Sequence, residues 1–367
     1  MATTGSLLTY DFTPALATFD PYHQYSTSPL SGGMVNITVR VNISDPTQEH
    51  ECPFEGAWSV VAKYAPAFVA SVGESAPFSQ YRQVIEARAL ALLSQPSVNA
   101  YIQSSCNVIF PELIHHDPAM NVLIMSDLGE TDTLDKWLVS GPNLEVVVEV
   151  GRRFGEFLGR LGSFSDDVNQ VNALPNLYEL FDSPLTHEFN LDVTIAPIES
   201  YLLECGYNST DAALVKKLCI SMHERQQARL KRFQGGVFGI GDDWEFAGMV
   251  YPLIDLAQLC AHLYIICLVS SAEIKSKVKA YALAMIHAYH ASTPEWHHRD
   301  EYRVDAWIHI GRVIISNIIE IDWWDGNDIK KQVELRVLGA HGAAFVKEAE
   351  QRGSKEGLLF EDIFNGL

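Results

Sequence analysis

The sequence predicts an α+β fold of two lobes, a small β-rich front and a larger α-helical remainder. Three observations carry that expectation. Val35, Ile37, Val39, Val41 and Ile43 recur at every second position between Met34 and Ile43, the period of a strand with one buried face. Beyond residue 130 the apolar period changes to three and four, which is helical. A chain of 367 residues that is 47% hydrophobic can also build a core in one large domain or two lobes, so disorder is the wrong default.

The elements follow in order. Ser59 to Ala65 reads as a short strand, and Pro77 to Leu93 as a helix whose Tyr81, Val84, Ile85, Arg88 and Leu92 fall at helical spacing. Asn121 to Ser126 is an apolar strand stopped by Asp127 and Gly129. From Asn143 to Gly162 one stripe of Leu144, Val147, Gly151, Phe154, Leu158 and Leu161 runs for nearly five turns. Further helices are expected over 176–233, with a break near Asn208, and at Asp255–Ser271, Lys275–Tyr289, Asp305–Ile319 and Ile329–Gln351. The resulting division is an N-terminal extension at 1–24, a first lobe at 25–130 and a helical lobe at 131–367.

Charge narrows the partners. With 26 Lys plus Arg against 46 Asp plus Glu, and no basic tract, the chain is poorly built for nucleic acid or an anionic membrane surface. Met1 to Phe12 has no positive start and no long apolar run, so no secretory leader is expected. The apolar stretch Leu256 to Ala272 opens after Asp255 and contains Gln258 and His262, so it reads as a buried helix and not a membrane span. Six cysteines without paired spacing are expected to be free thiols in a reducing, cytoplasmic setting, with no zinc site.

Three groups could carry chemistry. Lys63 sits inside the apolar strand Ser59-Val-Val-Ala-Lys-Tyr-Ala, where alone it reads as a solvated surface lysine. Glu86 lies on the following helix, either as a counter-ion for Lys63 or as an i,i+4 partner of Arg82. Gly241-Asp242-Asp243-Trp244-Glu245 places two acids after a glycine, suited to Mg²⁺ or to a plain polar turn. Strand, glycine-containing turn, strand lysine, helix glutamate, apolar strand, helical lobe and a late Asp-Trp-Glu form the parts list of phosphoryl transfer on a protein-kinase-like fold.

In these stretches the chain resembles the aminoglycoside phosphotransferase and choline kinase superfamily, and in particular fungal members similar to 5-methylthioribose kinase. The resemblance spans about residues 25–270. It is carried by Val61-Ala-Lys-Tyr-Ala-Pro, Val72-Gly-Glu-Ser, Arg82-Gln-Val-Ile-Glu-Ala, Val122-Leu-Ile-Met-Ser-Asp-Leu-Gly, and Asp243-Trp-Glu-Phe-Ala-Gly with Asp255-Leu-Ala-Gln-Leu. It implies that ATP and Mg²⁺ are bound and that a hydroxyl of a small molecule is the acceptor, a sugar, aminoglycoside or choline-like compound. Lys63 would hold the nucleotide phosphates, Glu86 would orient Lys63, and Met125, Ser126, Asp127 and Leu128 would form the adenine hinge. Asp243 would bind Mg²⁺, Gly32 and Gly33 would lie in the phosphate-covering loop, and Asp255 would brace the active-site loops. The insertion at 176–233 would shape the acceptor pocket.

One part of the pattern is missing. The family places a His-Gly-Asp loop roughly twenty residues before the Asp matched by Asp243, and Met222 to Gly241 holds no such triplet. His223-Glu224 falls in a helical pattern, and Val237 to Ile240 would lose the strand that it would otherwise pair with. His298-Arg299-Asp300 comes after the metal aspartate and is a decoy, while His115-His116-Asp117 matches a family turn without chemistry. No catalytic residue is therefore assigned. Three readings stay open: a phosphotransferase impaired because a segment between Gln234 and Gly235 is lacking, a pseudokinase that binds nucleotide or a partner, and a nucleotide-independent interaction protein.

Overall fold

The computed structural model describes residues 9–30, 35–44, 54, 57–164, 176–181, 190–233, 236–240, 244–320, 328–352 and 358–365. The fold class is α+β and protein-kinase-like in its order of elements, with an antiparallel sheet first and helices after it. Two compact units divide the chain: Met1–Asn99, Ile109–Thr131 and Trp244–Ala247 form one, and Ala100–Val108, Asp132–Asp243 and Gly248–Leu367 form the other.

In the first unit, helix α1 (Thr13–Phe19) precedes strands β1 (Gln24–Pro29), β2 (Ile37–Ser44) and β3 (Ser59–Tyr64), helix α2 (Tyr81–Leu93), and strands β4 (Leu113–Asp117) and β5 (Val122–Ser126). The five strands are ordered β1-β2-β3-β5-β4, and every pair is antiparallel. Period two sorts their side chains onto two faces. Val39, Val41 and Ile43 of β2, Val60 and Ala62 of β3, and Val122 and Ile124 of β5 form one buried face, covered by Phe12 and by Leu16 of α1. Val61, Leu123 and Met125 lie on the other, against Ala87 and Leu90 of α2 and against Trp244. The alternation from Ile37 to Ile43 thus marks a half-buried strand, as expected, but Val35 and Asn36 form a bend before it and Met34 lies outside the described residues.

Two edge strands depart from the sequence expectation. Residues 115–117 belong to β4 and not to a turn; among the described residues β4 pairs with β5 alone and is half-buried throughout, so its two histidines hide its strand character. β1 (Gln-Tyr-Ser-Thr-Ser-Pro) is almost wholly exposed and ends in proline, a residue tolerated at a sheet edge.

In the second unit the expected long helices form. Helix α5 (Leu144–Ser163) starts at Asn143, whose side chain accepts a hydrogen bond from Glu145 N at 2.8 Å, an ordinary N-cap. It packs on the helix Ala272–Ser292 at backbone distance, because Gly151, Gly155 and Gly159 repeat every fourth residue on one face. A Cβ at Gly155 would stand 2.0 Å from the Met285 carbonyl oxygen, and one at Gly151 would stand 2.5 Å from that of Tyr281. The helix Ile254–Val269 is buried on most of its surface, and among the described residues no helix is long and apolar enough to cross a membrane. Cys106, Cys205, Cys219, Cys260 and Cys267 are free thiols.

The helix Ser209–Phe233 runs to within three residues of strand Val237–Gly239, and His223 is buried in it, as the sequence implies. The strand does not lack a partner: Val237, Phe238 and Gly239 pair antiparallel with Val250, Met249 and Gly248. Ile240 N donates to Asp255 Oδ2 at 3.0 Å, which satisfies the next backbone group. The expected orphan backbone is thus avoided by a strand downstream of the acidic turn.

Candidate functional site

Lys63 is not a solvated strand lysine. The parity of β3 turns it to the face covered by α2, where it is 9% exposed and its ammonium donates to Glu86 Oε1 at 2.7 Å. Glu86 is 1% exposed and lies on α2, so the 23-residue separation closes across the sheet–helix interface. Gln83, one turn before Glu86, donates from Nε2 to Lys63 O at 2.9 Å and fixes the strand backbone beside the pair. Buried charges of opposite sign hold each other in the ionised form, since either alone would face a desolvation cost of several kcal/mol.

The alternative counter-ion for Glu86, Arg82, is committed elsewhere. Its Nε donates to Asn36 Oδ1 at 3.1 Å, and Asn36 Nδ2 donates to Glu245 Oε2 at 2.6 Å. Sequence inspection missed Asn36 and Glu245 as partners because the two are 209 positions apart. The one available signal was Glu245 itself, an acid between Trp244 and Phe246.

Met125 to Leu128, the stretch expected to act as a hinge, lies at the end of β5. Met125 is 8% exposed and packs with Leu90, Val61 and Trp244. Ser126 Oγ accepts from Glu112 N at 2.9 Å, tying the end of β5 to the approach of β4. Asp127 is a brace: Oδ2 accepts from Arg40 Nε at 2.6 Å and Ser59 Oγ at 2.7 Å, and Oδ1 accepts from Gly129 N at 2.9 Å. Burial works to raise its pKa, but these hydrogen bonds outweigh it and hold the carboxyl below the usual range. Leu128 is exposed.

Gly32, Gly33 and Asp243 lie outside the described residues. Trp244, the neighbour of Asp243, starts the short helical turn Trp244–Phe246 and packs against the α2-covered face. By charge, the Lys63 ammonium held beside the Glu86 carboxylate suits a phosphate-bearing ligand. For Mg²⁺, no group of three His, Cys, Asp or Glu gathers among the described residues.

A strand lysine paired to a helix glutamate, an apolar strand that ends in a short connecting stretch, and the Trp244–Phe246 turn against the α2-covered face follow the arrangement of a protein-kinase-like fold. In these motifs the chain is similar to the aminoglycoside phosphotransferase and choline kinase superfamily. No family model matches it. Among curated proteins it is 25% identical over 278 residues to 4-hydroxytryptamine kinase of Psilocybe cyanescens, covering 69% of this chain and 73% of that one. The enzyme of the same name from Psilocybe cubensis is 30% identical over 135 residues, 36% of this chain and 34% of its own. Among solved structures, an aminoglycoside phosphotransferase-type protein of Ralstonia eutropha superposes with a TM-score of 0.46 at 11% identity, covering 92% of this chain and 98% of that one. Choline kinase of Cryptosporidium parvum gives a TM-score of 0.40 at 11% identity, with 94% of each chain covered. The fold assignment rests on the sheet topology and the Lys63–Glu86 pair of this chain.

Proposed function

We propose that this protein binds ATP through Lys63 and belongs functionally with phosphotransferases that use a small-molecule hydroxyl as acceptor, with its own transfer step impaired. The observation that supports nucleotide binding is the buried Lys63–Glu86 pair at 2.7 Å. Such a pair holds an ammonium in one position where phosphate oxygens can be met, and phosphoryl transfer depends mostly on positioning and charge neutralisation. Met125 to Leu128 would receive the adenine, and the 31–36 stretch with Gly32 and Gly33 would cover the phosphates. Asp243 is the proposed Mg²⁺ ligand; the ion would neutralise charge on the phosphates.

Impairment is supported by the three residues left between the helix ending at Phe233 and the strand starting at Val237. That is too short for a His-Gly-Asp loop with its flanking strands. A positioned general base contributes about 10²- to 10⁴-fold in rate, so transfer should fall toward background by that factor. The same observation favours a second reading, a pseudokinase that binds nucleotide and does not transfer phosphate. The names of the curated relatives make a hydroxylated tryptamine the first acceptor to test, ahead of aminoglycosides, choline and thioribose-like sugars.

The test is a thermal-shift and calorimetric titration with Mg-ATP, followed by a transfer assay across those acceptors. Saturable stabilisation that disappears in Lys63→Ala is expected, with transfer near background. No nucleotide binding by the wild-type chain would defeat the proposal. Robust transfer to one acceptor would defeat the impairment and show that another residue supplies the base.

A further inference from the structure

Arg82 is 1% exposed and its guanidinium is wired to four separate stretches of the first unit. Nε donates to Asn36 Oδ1 at 3.1 Å, and Nη2 donates to Val35 O at 3.4 Å and to Pro66 O at 2.8 Å. Nη1 donates to Phe78 O at 3.1 Å and Ser79 O at 2.8 Å, and the guanidinium carbon stands 4.8 Å from the centroid of the Phe78 ring. Glu245 closes the set: its Oε2 lies 3.7 Å from Arg82 Nε and accepts from Asn36 Nδ2 at 2.6 Å. Glu245 is 3% exposed and Asn36 8%, so the whole cluster is buried.

The attachment points have one thing in common. Val35 and Asn36 follow Gly33 by two and three positions, Pro66 follows Lys63 by three, Glu245 follows Asp243 by two, and Arg82 itself precedes Glu86 by one helical turn. Apart from the 125–128 segment, each candidate nucleotide group thus has a chain neighbour bonded to, or paired with, the same planar fork. An arginine can do this because its five N–H donors have a fixed geometry; a lysine ammonium has three donors on one atom and cannot span these acceptors. A core that needed only stability would be served as well by apolar side chains of similar volume, since burying such charges gives little net gain.

We infer that Arg82 is a positioning residue that sets the mutual placement of Val35 and Asn36, Lys63, Glu86 and the Trp244–Phe246 turn without touching nucleotide itself. The inference rests on the nucleotide-binding reading above, and its test separates the two. Arg82→Lys keeps the charge and loses the fork. It is expected to weaken ATP binding at least tenfold, measured by calorimetry well below the melting temperature, and to speed hydrogen exchange together in peptides covering 31–36, 63–66, 78–86 and 241–247 of the nucleotide-free protein. Val278→Ala, a fully buried site in the helical unit, serves as a destabilised control and should leave both readouts unchanged. Asn36→Ala, which removes both the acceptor of Arg82 Nε and the bridge to Glu245, should weaken binding by roughly threefold to tenfold and stands in if Arg82→Lys does not fold. Wild-type affinity in both variants would overturn the inference alone. Absence of nucleotide binding in the wild type would overturn the functional reading, and the exchange experiment would still decide whether Arg82 ties the four stretches together.

Discussion

The sheet unit and the helical unit are held together by different means. In the sheet unit the face under α2 is organised by charges: Lys63 with Glu86, and Arg82 with Asn36 and Glu245, all buried and all partnered. In the helical unit the closest contact, α5 against Ala272–Ser292, is steric; three glycines let one backbone approach another, and no charge takes part at those positions. The difference teaches where geometry has been made costly to change. Polar burial is an expensive way to hold a helix on a sheet, and under α2 it surrounds Lys63, the residue proposed to meet a ligand.

Breaking the charged side should give the largest effect. Lys63→Met leaves Glu86 buried without its ammonium and is expected to lower stability by about 3–5 kcal/mol in urea unfolding. Adding Glu86→Gln should recover most of that loss and none of the nucleotide binding. A double variant as unstable as the single one would mean that the pair is not what the region depends on. On the steric side, Gly155→Ala drives a Cβ into the Met285 carbonyl and is expected to cost about 3 kcal/mol, at the upper end for overpacking because backbone and not side chain must move. A cost under about 1 kcal/mol would show that the two helices can separate easily, and the contrast between the units would lose its basis.

A smaller effect sharpens the comparison through pH. Asp127 titrates below its ordinary range in the folded protein, so its contribution is complete above about pH 4 and is lost as pH falls through the folded value. Asp127→Asn is expected to lose about 1–3 kcal/mol at pH 7 and a smaller amount at pH 2.5, compared by denaturant titration. Equal losses at both pH values would show that the brace does not depend on charge.

The helical unit carries a pH dependence of its own. Burial, then His290, His297 and Arg303, push the His298 imidazole down to about 4, while its unfolded value is near 6.5. Between these values the unfolded chain holds more protons, so the contribution is present above about pH 6.5 and fades as pH falls to about 4. His298→Gln should flatten the melting temperature over that window, and an unchanged slope would assign it to other groups.

Much of the frame was legible. β2, β3, β5 and α2 announce themselves by period because each has one face in a core, and a lysine within an apolar strand followed by a helix glutamate is a local pattern with a long-range meaning. What escaped was of two kinds. β1 and β4 are edge strands in which exposure or half-burial removes the alternation. α1 was not anticipated either, although its Leu16, with the preceding Phe12, closes the sheet core. The Arg82 cluster escaped because each of its bonds joins residues without sequence periodicity, and because the nearer carboxylate, Glu86, offered a plausible local partner.

By itself the sequence determined which segments alternate, which repeat helically, and which residue types could carry phosphate chemistry, since these follow from side-chain period and donor chemistry along the chain. Only the tertiary structure decided that Lys63 turns inward to Glu86, that Arg82 reaches Asn36 and Glu245, and that Val237–Gly239 pairs with Gly248–Val250. Those choices depend on which buried polar groups reach a partner once distant segments pack, and burial without a partner costs too much for any other arrangement to compete.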